Sequence, residues 1–264
     1  MGIYAVTGGS SGIGAKTVEY LRAQGHMVYN IDMKDGDINA NLATRDGRQH
    51  VIDELHSLCG NGLDGLVCCA GVSATCGNLK LIISVNYFGT QVLCEGCFDL
   101  LQKRKGYCVV VSSNTISQGV LRRDVVDALN NGDGDGLDED RVLRLVENYD
   151  VASNCHPMYV ATKYALARWV RRVSSDWAAR GVHLNAIAPG NVATAMTAKL
   201  EGQMWEACLA LPIPIHYHED CLMNPADIAS AICFLVSHQA HGLNGVILFC
   251  DGGTDALLNS EKVY

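Results

Sequence analysis

The chain has 264 residues, 48% of them hydrophobic and 18% charged, which excludes a disordered or low-complexity chain. Its formal net charge of −8 repels phosphate backbones and argues against a nucleic-acid partner. No apolar run approaches the roughly 18–20 residues that span a bilayer, and MGIYAVTGGSSGIG lacks the basic start of a signal peptide, so no membrane partner is expected.

Apolar runs then alternate with helical patterns. Residues 3–7 predict a first strand, and 12–24 a helix with Ile13, Val18 and Leu21 inward and Gly25 closing it. Residues 26–32 predict a second strand. A helix over 45–58 carries Val51, Ile52, Leu55 and Leu58 as its apolar stripe. A third strand over 63–71 ends in small residues and leads into a long helix over 81–105. The strand 106–113, a long helix over 157–180, the strand 182–189, a helix over 225–237 and a last strand over 245–250 complete the pattern. Strands separated by helices pair in parallel with right-handed crossovers. The expected fold is therefore α/β: a Rossmann-like, doubly wound parallel sheet with helices on both faces, one domain over 1–264. Residues 117–157 break the rhythm with two short helical patterns around NNGDGDGLDED. They read as a helical insertion, too short to hold a core of its own. The twelve cysteines sit mostly inside apolar runs, as small buried hydrophobes do, and read as reduced thiols of a cytoplasmic protein.

Three motifs carry chemistry. Thr7-Gly8-Gly9-Ser10-Ser11-Gly12-Ile13-Gly14 follows a strand and opens a helix, the context of a dinucleotide-binding turn. Missing side chains let a pyrophosphate approach the backbone, and the N–H groups at the helix start face it. Asp32 closes the second strand, where a carboxylate accepts from ribose hydroxyls and repels a 2′-phosphate, so NAD is expected over NADP. Tyr159 and Lys163 are four residues apart and share one helix face. A phenol is a poor base at neutral pH, a neighbouring ammonium favours its ionised form, and it can then exchange a proton with a substrate oxygen. Ser112 and Ser113 end a strand, where a hydroxyl can reach the same oxygen.

TGGSSGIG, CCAG, VNYFG, VVVSS, YVATK and APGNVAT, in this order, resemble the short-chain dehydrogenase/reductase family over essentially the whole chain. The resemblance implies a nicotinamide cofactor and hydride transfer. It implies that Ser113 orients the substrate oxygen and Tyr159 is the general acid/base. Lys163 is to lower the Tyr159 pKa and hold the nicotinamide ribose, and Asn86 to support a water relay. The implied cofactor-binding set is Gly8, Ser10, Ser11, Gly12, Ile13, Asp32, Met33, Asn41, Leu42, Cys69, Ala70, Gly71, Tyr159, Lys163, Pro189, Gly190, Val192 and Thr194. GLDGLVCCAG, the short link to SVNYFG, the long gap from Ser113 to Tyr159 and the ending DGGTDA resemble a bacterial 3α-hydroxysteroid dehydrogenase/carbonyl reductase subgroup. The resemblance therefore implies an NAD(H)-dependent enzyme acting on an apolar secondary alcohol or ketone, foremost a 3α-hydroxysteroid such as a bile acid. Aryl or allylic alcohols such as coniferyl alcohol are the alternative substrates, and a non-catalytic nicotinamide-binding regulator the alternative of another class. Family members are usually oligomeric through their long helices, so a homodimer or homotetramer is implied. The insertion is placed to cover one of those helices and to move the contact elsewhere.

Two departures stand out. Cys68-Cys69 replaces the family's Asn-Asn, and Asn41 replaces an Asp that meets the adenine. Other patterns read as structural. Asn131, Asp133, Asp135 and Gly136 begin a calcium-loop pattern, but its twelfth position is Val142 rather than a bidentate Glu, so a solvated acidic turn is expected. Cys94 and Cys97 form a lone CxxC without a second ligand pair, and successive side chains of the loop His216-Tyr-His218-Glu-Asp point opposite ways if extended, so no metal is expected. Met196, Met204, Trp205 and Leu209 suit either a lid over an apolar ligand or ordinary packing.

Overall fold

The computed structural model describes residues 1–131, 138–202, 205–206, 210–211, 213–215 and 222–263. Seven strands form one sheet: β1 (Ile3–Thr7), β2 (Met27–Asp32), β3 (Ile38–Asn39), β4 (Gly65–Cys68), β5 (Tyr107–Val111), β6 (His183–Pro189) and β7 (Ile247–Cys250). Their order is β3-β2-β1-β4-β5-β6-β7, and each pair is parallel. The expected doubly wound sheet is the one observed. β3 escaped the sequence reading because it is a two-residue strand, too short to show as an apolar run.

The central strands are buried on both faces, which is why they read as unbroken apolar runs. One layer packs Ile31, Leu66, Val110 and Ala186 against Val51, Leu55, Leu93 and Leu166. The other packs Val6, Val67, Val109 and Ile187 against Val18, Leu21, Ile228 and Ile232. The departure at Cys68 belongs to the first layer. Its sulfur lies 3.7 Å from that of Cys94, which lies 3.6 Å from that of Cys108, all three buried. The Cys94–Cys97 pair is thus part of the packing, and no group of three metal ligands occurs among the described residues.

Two helices depart from their expected bounds by more than two residues. The stretch expected over 81–105 is broken into Leu79–Ile83, a π turn at Ser84–Phe88, Gly89–Gly96 and Phe98–Arg104. The widened turn contains Asn86, whose side chain reaches out to the backbone of Val72. The helix expected to start at Pro157 runs over Val151–Ala179. Asp150 starts it early, its side chain accepting from the Ser153 N–H at 2.9 Å, a regular N-cap.

The insertion holds the helices Arg123–Asn130 and Glu139–Leu145; Asp133, Asp135 and Gly136 lie outside the described residues. It packs on the Val151–Ala179 helix. The Asn130 amide donates to the Ala165 carbonyl at 3.1 Å, and Arg168 pairs with Asp127 at 3.0 Å. Its second helix is held by a buried ion pair between Glu139 and Arg48 of the Arg45–Leu58 helix. Arg48 is only 2% exposed and also donates to the Leu42 carbonyl at 3.2 Å.

Removing one partner of a buried pair strands the other charge, whereas replacing both with apolar residues does not. Glu139→Leu should therefore cost about 3 kcal/mol of unfolding free energy. Arg48→Met together with Glu139→Leu should cost clearly less than that single change, read by urea unfolding. Additive losses would show that the pair is not coupled.

Candidate active site

The chain leaves β1 toward β2 and β3 on one side of the sheet and resumes with β4 on the other. The carboxyl ends of β1 and β4 therefore part, and this switch point opens a crevice. The ends are tied by short bonds. The Gly8 N–H donates to the Ile31 carbonyl at 2.8 Å, and the Ala70 N–H to the Thr7 hydroxyl at 3.1 Å. The Gly12–Ala23 helix starts directly on this edge. A Cβ on Gly14 would lie 2.1 Å from the Gly8 carbonyl oxygen, so any larger residue would push the helix off the strand. Gly8 itself has φ of +69°, a conformation that favours glycine.

The crevice deepens into a cavity of about 860 Å³. Every residue of the expected site lines it except Ser10 and Asn86. Ser10 works from outside: its N–H donates to Asp32 at 3.1 Å and its hydroxyl to the Lys34 carbonyl at 2.9 Å. The Met33 N–H also donates to Asp32, at 2.7 Å. Two backbone donors thus fix the carboxylate at the rim of the cavity. Asn41, the second departure, keeps its side-chain oxygen as the acceptor for the Ala43 N–H at 3.0 Å. Asn86 is fully buried behind the wall. It accepts from the Val72 N–H at 2.8 Å and donates to the Val72 carbonyl at 3.0 Å, so its side chain is spent on positioning the loop after β4.

Ser113 and Tyr159 face each other across the cavity, with Lys163 one turn along the helix. Ser112 turns away and donates to the Lys163 carbonyl at 3.0 Å. Ser113 Oγ accepts from the Thr115 hydroxyl at 3.1 Å and from its N–H at 3.3 Å. The neighbouring Asn114 amide reaches Asp251 at 3.5 Å, and Asp251 caps the Thr254–Leu258 helix through the Asp255 N–H at 2.7 Å. The DGGTDA ending thereby steadies the strand end that carries Ser113.

Burial raises the Tyr159 phenol above its ordinary 10.0, and interaction with the Ser113 hydroxyl pulls it back down. The Lys163 Nζ lies 5.9 Å from the Tyr159 ring centre and donates to the Val111 carbonyl at 2.8 Å. Burial pushes the Lys163 ammonium itself down to about 8, against a smaller upward pull from Cys69 and Cys68.

The far wall comes from Pro189, Gly190, Asn191, Val192 and Thr194 to Thr197. Val192 is bridged to Met223, and the Ala193 N–H donates to the Met223 carbonyl at 2.9 Å. Met196 lines the cavity, but Trp205 does not. It lines a separate hollow behind the wall, with Gly12, Lys16 and Thr194. Met204, Leu209, His216 and His218 lie outside the described residues. Lining residues that sequence reasoning missed include Val72, Leu81, Gln118, His156 and Leu200, which no motif marks, and Val85, which lies inside VNYFG.

The arrangement fits a dinucleotide. A glycine turn without side chains faces the cavity, a fixed carboxylate stands at one end, and a hydroxyl–phenol–ammonium set stands at the other. The Lys163 shift also has a measurable consequence. Its folded value of about 8 lies below the ordinary 10.5, so between these limits the unfolded chain binds more protons and stability from this group rises with pH. The stability of the wild type relative to Lys163→Met should rise by about 2 kcal/mol from pH 8 to pH 10. A flat difference would contradict the burial of a proton-binding amine.

Comparison with known proteins bears on the whole chain. The short chain dehydrogenase family model matches residues 3–125, and that for Enoyl-(Acyl carrier protein) reductase matches residues 144–255. The 3-alpha-hydroxysteroid dehydrogenase/carbonyl reductase of Comamonas testosteroni is 32% identical, over 99% of this chain and 100% of its own length. The coniferyl-alcohol dehydrogenase of Pseudomonas sp. (strain HR199 / DSM 7063) is 30% identical over 94% of each chain. The crystal structure of the 3-alpha-hydroxysteroid dehydrogenase from Pseudomonas sp. B-0831, complexed with NADH, superposes with a TM-score of 0.90 at 37% identity, covering 98% of this chain and 99% of that one. With the glycine turn, Tyr159 and Lys163 all set along one crevice, this chain belongs to the short-chain dehydrogenase/reductase family of oxidoreductases.

Proposed function

We propose that this protein interconverts a secondary alcohol and a ketone with NAD(H), foremost on a 3α-hydroxysteroid such as a bile acid. The observation that carries the reading is one cavity holding Asp32 at one end and Ser113 with Tyr159 at the other. The likeness to two 3α-hydroxysteroid dehydrogenases, one of them solved with NADH, supports both the substrate and the cofactor.

Gly8, Ser11, Gly12 and Ile13 hold the diphosphate, Asp32 the adenosine ribose, and Val192 and Thr194 the nicotinamide end. The bound dinucleotide supplies the hydride acceptor for alcohol oxidation. Ser113 holds the substrate oxygen; in the reducing direction the neutral Tyr159 phenol gives its proton to that oxygen as the alcohol forms, and oxidation is the reverse, with the phenolate taking the proton back. In reduction, charge developing on that oxygen meets two donors already in place. Lys163 is a positioning residue: through Val111 it ties the helix of Tyr159 to the strand of Ser113, and it faces the cofactor ribose. An apolar wall of Val72, Leu81, Val85, Met196 and Leu200 suits a large hydrophobic substrate. The same wall also accommodates an aryl or allylic alcohol, the reading that the coniferyl-alcohol dehydrogenase favours.

The insertion covers the outer face of the Val151–Ala179 helix, so we place the contact of a homodimer or homotetramer on another surface. No helix among the described residues is long and apolar enough to cross a membrane, and their cysteines are free thiols, which suits a reducing, cytoplasmic setting.

The test is formation of NADH from NAD⁺ with 3α- and 3β-hydroxy bile acids beside coniferyl alcohol, each repeated with NADP⁺. Turnover is expected with the 3α-hydroxysteroid and NAD⁺, and Tyr159→Phe should lower kcat by about 10²–10⁴-fold. Turnover of coniferyl alcohol alone would move the substrate to the second reading. An undiminished Tyr159→Phe would overturn the mechanism.

A further inference from the structure

A serine hydroxyl has one proton to donate and two lone pairs that accept. Left free, it turns to suit whatever neighbour is present. Ser113 is not left free. Its Oγ accepts from the Thr115 hydroxyl at 3.1 Å and from the Thr115 N–H at 3.3 Å. One residue thus fills both acceptor positions, and only the Ser113 proton remains to bond.

The two Thr115 bonds do different work. The N–H bond caps the 3₁₀ turn Asn114–Ser117, and any residue but proline at this position would make it. The hydroxyl bond is not required by the turn. It places a second donor on Oγ, which polarises the Ser113 O–H and strengthens it as a donor. Thr115 lines the cavity together with Ser113 and Tyr159, so this bond is made at the reacting end. The Ser113 hydroxyl pulls the Tyr159 phenol down, as a donor to the phenolate does.

We propose that Thr115 is a positioning residue for the reaction: by filling both acceptor positions of Ser113 Oγ, it leaves Ser113 able only to donate, toward the oxygen where the proton is exchanged. The inference rests on the proposed function, in which Ser113 and Tyr159 meet the reacting oxygen. It adds that Ser113 works as a fixed donor rather than as a hydroxyl free to turn.

The test is oxidation of a 3α-hydroxysteroid, or of coniferyl alcohol, with NAD⁺. The wild type is compared with Thr115→Val, Thr115→Ser, Ser113→Ala, and Ser113→Ala combined with Thr115→Val. Valine keeps the branched shape and the N–H of threonine and removes only the hydroxyl. Thr115→Val should lower kcat about fivefold with KM held within about twofold, and Thr115→Ser should restore it. The acid limb of the kcat/KM profile should move to higher pH in Thr115→Val, because a phenolate with a weaker donor forms at higher pH. Asp32, Cys69, His156 and Lys163, the other titratable residues along the described cavity wall, are the same in every variant. In the Ser113→Ala background, loss of the Thr115 hydroxyl should change nothing further, since it acts through Ser113. NADH binding shows that each variant has formed its cleft; should Thr115→Val fail to bind, Thr115→Ala takes its place. Unchanged kcat and pH profile in Thr115→Val overturn the inference. So does a loss that Thr115→Ser does not restore, a loss confined to KM, or a loss that persists without the Ser113 hydroxyl. Each of these leaves the proposed function standing where Tyr159→Phe is inactive. Activity retained by Tyr159→Phe, or turnover of neither alcohol, removes both.

Discussion

The contact of Gly14 with the Gly8 carbonyl is the constraint on which the rest of the site depends. With no side chain between them, the Gly12–Ala23 helix begins flush against the end of β1. Its first N–H groups then face the crevice that the sheet topology opens between β1 and β4. Everything placed afterwards takes its position from that edge. Asp32 is pinned by the N–H groups of Ser10 and Met33, which are set by the same turn. The loop after β4 is held by Thr7 from one side and Asn86 from the other. Across the sheet, Asp251 and Asn114 fix the end of β5, and the Val151–Ala179 helix brings Tyr159 to it.

Much of this was legible in the sequence because the constraints are local. A glycine run between a strand and a helix, a carboxylate closing the next strand, and a tyrosine four residues before a lysine each follow from the geometry of one element. The parallel, doubly wound arrangement and most element bounds followed from hydrophobic periodicity and the crossover rules. Choosing Ser113 over Ser112 came from resemblance, and the reason is tertiary: Ser112 is taken by the Lys163 carbonyl. The break in the helix expected over 81–105 depends on what Asn86 reaches for, which no periodicity carries. The spacing of Tyr159 and Lys163 along a helix face says nothing about their burial. In the fold both groups are desolvated, and the ammonium is engaged by Val111. Gln118, which lines the cavity, had no signal at all in the sequence.

The insertion shows how a loop addition can be absorbed by this fold. Its two helices are tied at Ala165, Arg168 and Arg48, on the Val151–Ala179 and Arg45–Leu58 helices. Arg48 also holds the carbonyl of Leu42, which lines the cavity, so the insertion is braced next to the cavity wall.

We propose that Asp32 makes this cavity an NAD site. A carboxylate fixed by two backbone donors accepts from a ribose diol and repels a 2′-phosphate. The direct measurement is the affinity of the protein for NADH and NADPH by ligand fluorescence, for the wild type and Asp32→Ala. NADH should bind the wild type at least about tenfold more tightly than NADPH, and the substitution should erase most of that preference by weakening NADH and admitting NADPH. Equal affinities in the wild type, or a preference that survives the loss of the carboxylate, would contradict the account.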